Sequence, residues 1–451
     1  MRVDRRRLGG LVAGGVAATL LPTRVAGETP DKPIVLQAGP AQLRLVPTGD
    51  TAVWAYGGQV PGPLLRIKLG ESLRICLENR LAQPTTLCWH GVRLPNAMDG
   101  VAGLTQPPVA PGASYDYAFT PPDAGLFWYH PHIFPQSAEQ VGRGLYGALI
   151  VEEREPPRVD DDILLVLDDW ALDSKGALLG DFASLAQARG AGRIGALVTV
   201  NSKPVPLPLT ARPGARLRLR VLNACAARIA LVGFDGAPPT LVAIDGQPSE
   251  LFRPARDTVP VGPGSRFEVM LDMPAKAGRA AIVLRGLGSP DVALAEVAIA
   301  GAPVPPHPPI ARLPENPLLP TRIPLERAVK RDLVIALAPS SDAHWAWSLG
   351  GAPSDGVSGM PLFKVKRGGA VTLGFVNKSE QVQQMHVHGH VFRVLHDLDD
   401  GWDPYWRDSI LIGPGKTKHV AFIADNPGRW AIESLILDRQ VTGLAGWFEV
   451  G

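Results

Sequence analysis

The sequence predicts an all-β protein made of three consecutive β-sandwich domains. Its 49 glycines and 45 prolines separate short segments in which apolar and polar residues alternate. Alternating segments punctuated in this way are typical of sandwiches with many strands. The length of 451 residues also fits about three domains, and an internal repeat leads to the same number.

The repeat consists of a glycine and an asparagine nine residues apart, with alternating apolar residues between them. Its three copies lie at 70–79, 214–223 and 368–377. Further along each copy stands a Pro-Gly pair, and successive pairs are 152 and 151 residues apart, at 111–112, 263–264 and 414–415. A period of this length indicates three copies of a whole domain and not a solenoid.

The N-terminal segment 1–27 is predicted to be a twin-arginine export signal. Three arginines at 5–7 precede an apolar run over 8–21, which is short for a membrane-spanning helix of about 20 residues. Small residues at 25–27 suit cleavage, and a doubled arginine before a leucine suits the twin-arginine route. We therefore expect a periplasmic or exported protein without stable membrane insertion, with an uncleaved anchor as the alternative reading.

The mature chain is expected to divide into domain 1 over 28–155, domain 2 over 156–305 and domain 3 over 306–451. The proline-rich stretch 302–309 reads as a stiff linker between the last two domains. A formal net charge of +2 predicts no nucleic-acid partner.

Two pairs of alternating residues carry side chains that can bind metals. Residues two apart in an extended strand point the same way, so His386 and His388 can present two imidazoles to one place. They lie nine and eleven residues past the repeat asparagine, where the first copy has Cys88 and His90. A lone His-x-His pattern is weak evidence, but its recurrence within a repeat indicates a shared site.

A second set of matching positions lies eighteen residues past the glycine of each Pro-Gly pair. The first copy has His130 there, with His132 two residues later, and the third copy has Glu433. The middle copy is apolar at all the corresponding places: Val232, Phe234 and Ile282. Two related edges that face each other would form one site shared by domains 1 and 3.

The three cysteines, at 76, 88 and 225, are too few for a disulfide framework. Cys76 and Cys225 are predicted to lie in the core. Cys88 differs, because it stands two residues before His90 at a ligand-type position.

Longer motifs resemble those of the multicopper oxidases, the laccase-like family of three cupredoxin-like Greek-key domains. The resemblance covers essentially the whole mature chain and includes HGVRLPNAMDG at 90–100, FWYHPH at 127–132 and MHVHGH at 385–390. In that family a blue copper accepts electrons, and a three-copper cluster reduces dioxygen to water. The resemblance implies bound copper, one to three ions in a reduced cluster, or another transition metal.

Four ligand pairs of the family's cluster can be aligned with this chain. They read Cys88-Trp-His90, His130-Pro-His132, His386-Val-His388 and Glu433-Ser-Leu435. By family geometry, one ion belongs to His132, His388 and Glu433. A second ion belongs to His90 and His130, and a third to Cys88 and His386.

The blue-copper ligands of the family are replaced in this chain. Gln383 and Arg439 stand where the family has histidines, Ser434 where it has the cysteine, and Leu444 where it has the axial methionine. Blue-copper sites need a thiolate and two imidazoles. We therefore expect a divergent member that lacks blue copper and ordinary laccase activity.

Two hypotheses from different classes follow. In the first, the altered centre binds metal, because Glu433 keeps a donor and two imidazoles with a carboxylate form a common ligand set. In the second, the chain is a metal-free envelope scaffold with a protein partner, and its clustered histidines only pack. A copper-dependent oxidoreductase with electron input unlike that of laccases is a third reading. Catalytic residues and a small-molecule substrate are not assigned.

Overall fold

The computed structural model describes residues 32–396 and 401–451. The export signal predicted at 1–27 lies outside the described residues and remains a prediction. Within the described ranges, no helix is long and apolar enough to cross a membrane. Short 3-10 turns lie at Asn96–Met98, Ala255–Asp257 and Leu325–Arg327.

The first sandwich is formed by residues 34–152. Its strands are β1 (Ile34–Val46), β2 (Gly49–Tyr56), β3 (Leu65–Lys68), β4 (Leu73–Asn79), β5 (Cys88–His90), β6 (Ser114–Phe119), β7 (Gly125–His130) and β8 (Gly147–Glu152). One sheet has the order β2-β1-β4-β6 and the other β3-β8-β7-β5. Helix α1 (Ser137–Gly142) connects β7 to β8. Inward side chains such as Leu36 and Ile75 fill the space between the sheets.

The second sandwich is formed by residues 161–299. Its strands are β9 (Asp161–Trp170), β10 (Leu197–Val200), β11 (Lys203–Pro204), β12 (Leu207–Ala211), β13 (Arg216–Asn223), β14 (Ala230–Asp235), β15 (Pro239–Ile244), β16 (Gln247–Phe252), β17 (Thr258–Val261), β18 (Arg266–Asp272), β19 (Gly278–Leu284) and β20 (Val292–Ile299). The sheet orders are β11-β10-β9-β13-β18-β15-β16 and β12-β20-β19-β14-β17. Helix α2 (Leu185–Arg189) lies between β9 and β10.

The third sandwich is formed by residues 329–450. Its strands are β21 (Val329–Leu337), β22 (Trp347–Leu349), β23 (Lys364–Val365), β24 (Gly369–Asn377), β25 (Gln383–Val387), β26 (Arg393–Val394), β27 (Ser409–Ile412), β28 (Thr417–Ala424), β29 (Gly428–Ser434) and β30 (Ala445–Val450). The sheet orders are β22-β21-β24-β28-β26 and β23-β30-β29-β25-β27. Helix α3 (Leu437–Gln440) follows β29.

An apolar cluster shared by all three sandwiches holds them together. It contains Trp128 from the first, Trp170 and Leu222 from the second, and Leu437 from the third. Burial of large apolar side chains is the main favourable term in such contacts. The prediction of an all-β chain with three consecutive sandwiches is confirmed, whereas the exact domain boundaries stay predictions.

The repeated asparagine has the same structural role in each sandwich. Its side-chain amide donates to a backbone carbonyl a few residues ahead and to another just before the Pro-Gly pair, and its Oδ1 accepts from the backbone amide two residues ahead. The repeated glycine begins the strand from a left-handed conformation, with φ of 98°, 77° and 78° at Gly70, Gly214 and Gly368. Such φ values favour glycine. The sequence repeat therefore corresponds to one local structure in each sandwich: a strand that begins after the glycine and ends at the hydrogen-bonded asparagine.

We expect Asn223→Ala to destabilise the fold by about 3 kcal/mol or more, since buried polar groups lose their partners. The side chain is fully buried and donates at 2.8 Å to the carbonyls of Arg228 and Val261. Urea unfolding measures the loss, and Gln42→Ala on an exposed position of β1 is the control. Equal midpoints for the two variants would contradict the role of the asparagine.

Candidate metal centre

Strand pairing places the predicted ligands at two facing edges. In the first sandwich Cys88 on β5 lies opposite His130 on β7, and in the third sandwich His386 on β25 lies opposite Glu433 on β29. Residues opposite each other on antiparallel neighbours project from the same face of the sheet. Each pair therefore presents its side chains together towards the space between the two sandwiches.

Glu433 joins a histidine from each side of that space. Its Oε2 lies 2.7 Å from His132 Nε2 and its Oε1 lies 3.1 Å from His388 Nε2. The three side chains are buried, and their ligand atoms lie within 4.8 Å of one another. The trio that the family geometry groups around one ion is thus brought together.

His388 has a second acidic neighbour that the sequence reasoning did not identify. Its Nδ1 lies 3.1 Å from Asp99 Oδ2, and Cys88 lies within 4.8 Å of both. Asp99 belongs to the HGVRLPNAMDG motif, but nothing in the sequence indicated that its side chain contacts His388. The structure therefore groups Cys88 with Asp99 and His388, whereas the resemblance implies a pairing with His386.

His386 lies instead against His90. Their rings stack with centroids 3.9 Å apart and planes inclined by 16°. His386 Nδ1 donates at 2.7 Å to the backbone carbonyl of Asp408, whose carboxylate lies 3.6 Å from His90 Nε2. Asp408 is the second site residue that the sequence reasoning missed, because it stands alone in the chain without a partner motif.

Asp408 is held by a buried arginine from the second sandwich. Arg266 donates to its two carboxylate oxygens at 2.6 and 3.0 Å. The glycine after His90 makes this contact feasible, because Gly91 has φ of 85° and a Cβ there would overlap both charged groups. The second sandwich thus contributes no ligand-type residue at the repeat positions, yet it orients those of the other two.

His130 points a free nitrogen into the centre. Its Nδ1 lies 2.9 Å from the carbonyl of Pro131, so this nitrogen carries the proton and Nε2 keeps the lone pair. That Nε2 is buried and has no hydrogen-bond partner among the described residues. Ring centroids of His130 and His90 are 5.7 Å apart. A histidine fixed through one nitrogen with the other left free is typical of a metal ligand.

The electrostatics separate the imidazoles into two kinds. Burial lowers the pKa of His130 to about 3, and burial with the neighbouring His386 lowers the pKa of His90 well below its ordinary value. Burial also opposes the charged form of His388, but Asp99 and Glu433 outweigh it and raise its pKa well above normal. Neutral imidazoles of His90 and His130 therefore lie near His388, whose charged form is favoured.

The same buried surroundings shift the pKa values of the Glu433 carboxyl and the Cys88 thiol. Burial works against ionisation of Glu433, but the attraction of His132 and His388 lowers its pKa well below the ordinary range. Burial raises the pKa of the Cys88 thiol to about 12, and Asp99 adds to the effect. Without a cation, Cys88 is a neutral thiol, while Glu433 is already an ionised donor.

The residues that the resemblance aligns with blue-copper ligands form a hydrogen-bonded polar cluster. Arg439 donates to Gln383 Oε1 at 2.8 Å and to the Gly190 carbonyl at 2.8 Å, and its guanidinium lies 4.9 Å from the Trp347 ring centroid. Burial lowers the pKa of Arg439 to about 10, which leaves it cationic at neutral pH. Ser434 Oγ accepts from the Ile436 amide at 3.1 Å.

The remaining cysteines lie away from this centre. Cys225 is buried, as predicted, and its acidic neighbours Asp168 and Asp169 are bound to Tyr146 and Arg228. The prediction for Cys76 was wrong, because it is half-buried. It occupies one of the outward positions of β4, where alternation turns side chains away from the core.

Comparison with known proteins finds multicopper oxidases among both family models and solved structures. Two family models described as multicopper oxidase match residues 41–156 and 327–451. A multi-copper oxidase crystal structure from Pseudomonas thermotolerans is 34% identical with a TM-score of 0.84, and the match covers 93% of this chain and 99% of that one. A second, from Pseudomonas parafulva, is 33% identical with a TM-score of 0.82 over 93% and 100%. These neighbours confirm the cupredoxin-like Greek-key sandwiches.

Two curated relatives match different lengths of this chain. Multicopper oxidase MmcO of Mycobacterium tuberculosis is 27% identical over 427 residues, which is 86% of this chain and 81% of that protein. Copper resistance protein A of Pseudomonas syringae pv. tomato is 30% identical over 59% of this chain and 51% of its own length. The chain thus spans about half of that protein.

We expect Arg266→Leu to destabilise the protein by about 3–5 kcal/mol, because it leaves the buried Asp408 carboxylate uncompensated. Adding Asp408→Asn to the same chain should recover part of the loss, since the stranded charge is removed. Thermal unfolding followed by circular dichroism measures both. Arg253→Leu, at an exposed ion pair with Asp257, is the control and should leave the midpoint nearly unchanged. A similar loss in the control would contradict the assignment.

Proposed function

Because the chain belongs to the multicopper oxidase family, we propose that it is an exported member that binds copper or another transition metal at a modified centre without blue copper. The centre lies between the first and third sandwiches. One observation carries the proposal: Glu433 lies at 2.7 and 3.1 Å from the imidazole nitrogens of His132 and His388, which come from opposite sides.

The donor set fits a metal ion. Two imidazoles and a carboxylate are a ligand set used for iron, zinc, copper and manganese, and the family and its relatives favour copper. His90 and His130 add neutral imidazoles at the same centre, and burial keeps their lone pairs available. A bound ion would supply Lewis-acid or redox chemistry there. The chain's own residues position it and exclude water.

The alternative of a metal-free scaffold explains less. Buried polar atoms in folded proteins are almost always hydrogen-bonded, and a packing role would require the same of these histidines. Yet Nε2 of His130 has no hydrogen-bond partner among the described residues. An apolar side chain would fill its place without that penalty. The metal-binding reading accounts for His130 directly, since its free nitrogen is a ligand atom.

In this proposal the chain lacks the blue-copper site through which ordinary laccases take up electrons. Arg439 and Gln383 bond to each other where imidazoles would be needed, and Ser434 lacks the sulfur. A buried guanidinium also repels a cation. Turnover of laccase substrates is therefore expected to be near background, and an oxidoreductase of this chain would need another route for electrons. Export by the twin-arginine route to the periplasm is part of the same proposal.

Copper-loaded protein should show no intense blue absorption band, because no thiolate is present at the blue-copper position. Ser434→Cys alone should not restore the band, since Gln383 and Arg439 still occupy the imidazole positions. The ultraviolet-visible spectrum of both proteins after copper loading is the measurement. An intense band in the unmodified protein that persists in Cys88→Ser would overturn this part of the proposal.

Glu433→Gln should weaken metal binding by at least about 10–100-fold, a loss typical of residues that merely support ligands. The matched control is Ser434→Ala, the next residue of the same strand, which should bind metal as the unmodified protein does. Competition with a chromophoric chelator gives the affinities. Metal addition should also raise the melting temperature of the control more than that of Glu433→Gln. The scaffold alternative predicts no shift in any of these proteins.

A further inference from the structure

A cavity of about 740 Å³ lies where the first and second sandwiches meet the segment 313–318. Pockets for small organic molecules have volumes of about 300–1,000 Å³, so the cavity has the size of a ligand site. Leu69 and Pro121 line it from the first sandwich, Pro248 from the second, and Leu313 and Pro317 from the segment. The cavity shares no lining residue with the candidate metal centre.

The wall contributed by the segment 313–318 is fixed in place. Leu313 is buried against Val242 and Met270 of the second sandwich, and Asn316 donates a hydrogen bond to Asp123 of the first. Leu318, in contrast, is 61% exposed although it lines the cavity. A preformed wall of this kind offers apolar surface that a ligand would remove from water.

Carboxylates predominate among the charged groups of the lining. The cavity is lined by four glutamates and one arginine: Glu153, Glu155, Glu268, Glu315 and Arg154. Two neutral polar side chains of the lining already have partners within the protein, because Thr120 is bonded to Ser72 at 2.7 Å and Asn316 to Asp123. The groups that remain to recognise a ligand are therefore mainly negatively charged hydrogen-bond acceptors.

Glu153 and Glu268 also belong to a buried ion-pair network behind the cavity. Arg218 donates to Glu153 at 3.1 Å and to Glu268 at 2.8 Å. Burial opposes ionisation of Glu153, but Arg218 outweighs it and lowers the pKa of this carboxyl. Among the described residues the network joins four carboxylates to three guanidiniums: Glu152, Glu153, Asp162, Glu268, Arg66, Arg218 and Arg220. Its charges therefore sum to one negative charge.

We propose that this cavity binds a small organic ammonium ion with an apolar body, such as an arylalkylamine in its protonated form. The apolar part packs between the leucine and proline side chains, and the ammonium group donates to the glutamates. A carboxylate has about four lone-pair positions, so Glu153 can accept from a ligand as well as from Arg218. The positive charge of the ligand offsets the excess negative charge of the network.

Naphthylmethylammonium is the probe, and naphthylmethanol and naphthoate are the matched neutral and anionic compounds. Isothermal titration calorimetry on the full mature chain at neutral pH and low salt gives the three affinities. The ammonium ion should bind about tenfold more tightly than the alcohol, because charge-assisted hydrogen bonds are roughly twice as strong as neutral ones. Naphthoate should bind more weakly than either. Added salt should reduce the affinity for the ammonium ion, since it screens the charges at the cavity mouth.

Two variants test the carboxylates separately. Glu153→Gln removes the excess charge while Arg218 keeps Glu268 as its partner, so it should abolish the preference for the ammonium ion over the alcohol. Glu155→Lys reverses a charge at an exposed position of the lining and should weaken ammonium binding by about 5–30-fold. It decides the matter if Glu153→Gln does not fold. Glu380→Lys, at an exposed position of the third sandwich, is the matched control and should bind as the unmodified protein does.

The outcomes also separate this site from the metal centre. Equal affinities for the three compounds, or no binding of the ammonium ion, would overturn the proposal. Unchanged ammonium binding in both Glu153→Gln and Glu155→Lys would do the same, because the probe would then lie elsewhere. Glu433→Gln should retain ammonium binding, and its loss there would contradict a separate site. Failure of the protein to bind metal would leave the cavity proposal standing.

Discussion

The contacts of Arg266 fix the relative positions of the three sandwiches. This residue belongs to the second sandwich, and its guanidinium donates to the Leu126 carbonyl of the first and to Asp408 of the third. It is fully buried, so water cannot replace a lost partner. Because Asp408 in turn faces His90 and His386, the same contacts hold the facing edges at the separation on which the candidate centre depends.

Buried charge in this molecule is compensated in two ways. Between the first and second sandwiches, Arg218 joins Glu153 and Glu268 in an ion-pair network of permanent charges. At the candidate centre the ion-pair partners of Asp99 and Glu433 among the described residues are the imidazoles of His132 and His388. Pairs of permanently charged groups suit a structural interface, because neither group has to release a proton or bind an ion. Imidazoles exchange protons for metal ions, so the second arrangement suits a site that takes up a cation.

The alternation of strand β29 separates two sets of polar side chains. Consecutive residues of a strand project to opposite faces of the sheet. Glu433 therefore projects into the space between sandwiches, whereas Ser434 projects to the other face, on the side of Gln383 and Arg439. The two faces can be substituted independently. Hydrogen bonds of Arg439 to Gln383 and to the Gly190 carbonyl stabilise the second face.

The sequence by itself determined the threefold repeat, the all-β class and the residue types that face each other. These features follow from local rules: strand alternation, the turn around the repeated asparagine, and the two-residue spacing of paired ligands. Only the tertiary structure identified Asp99, Asp408 and Arg266 and grouped Cys88 with Asp99 and His388. Asp99 is 289 residues from His388 and Arg266 is 142 residues from Asp408. No local pattern encodes such contacts, because they arise from how whole sandwiches pack together.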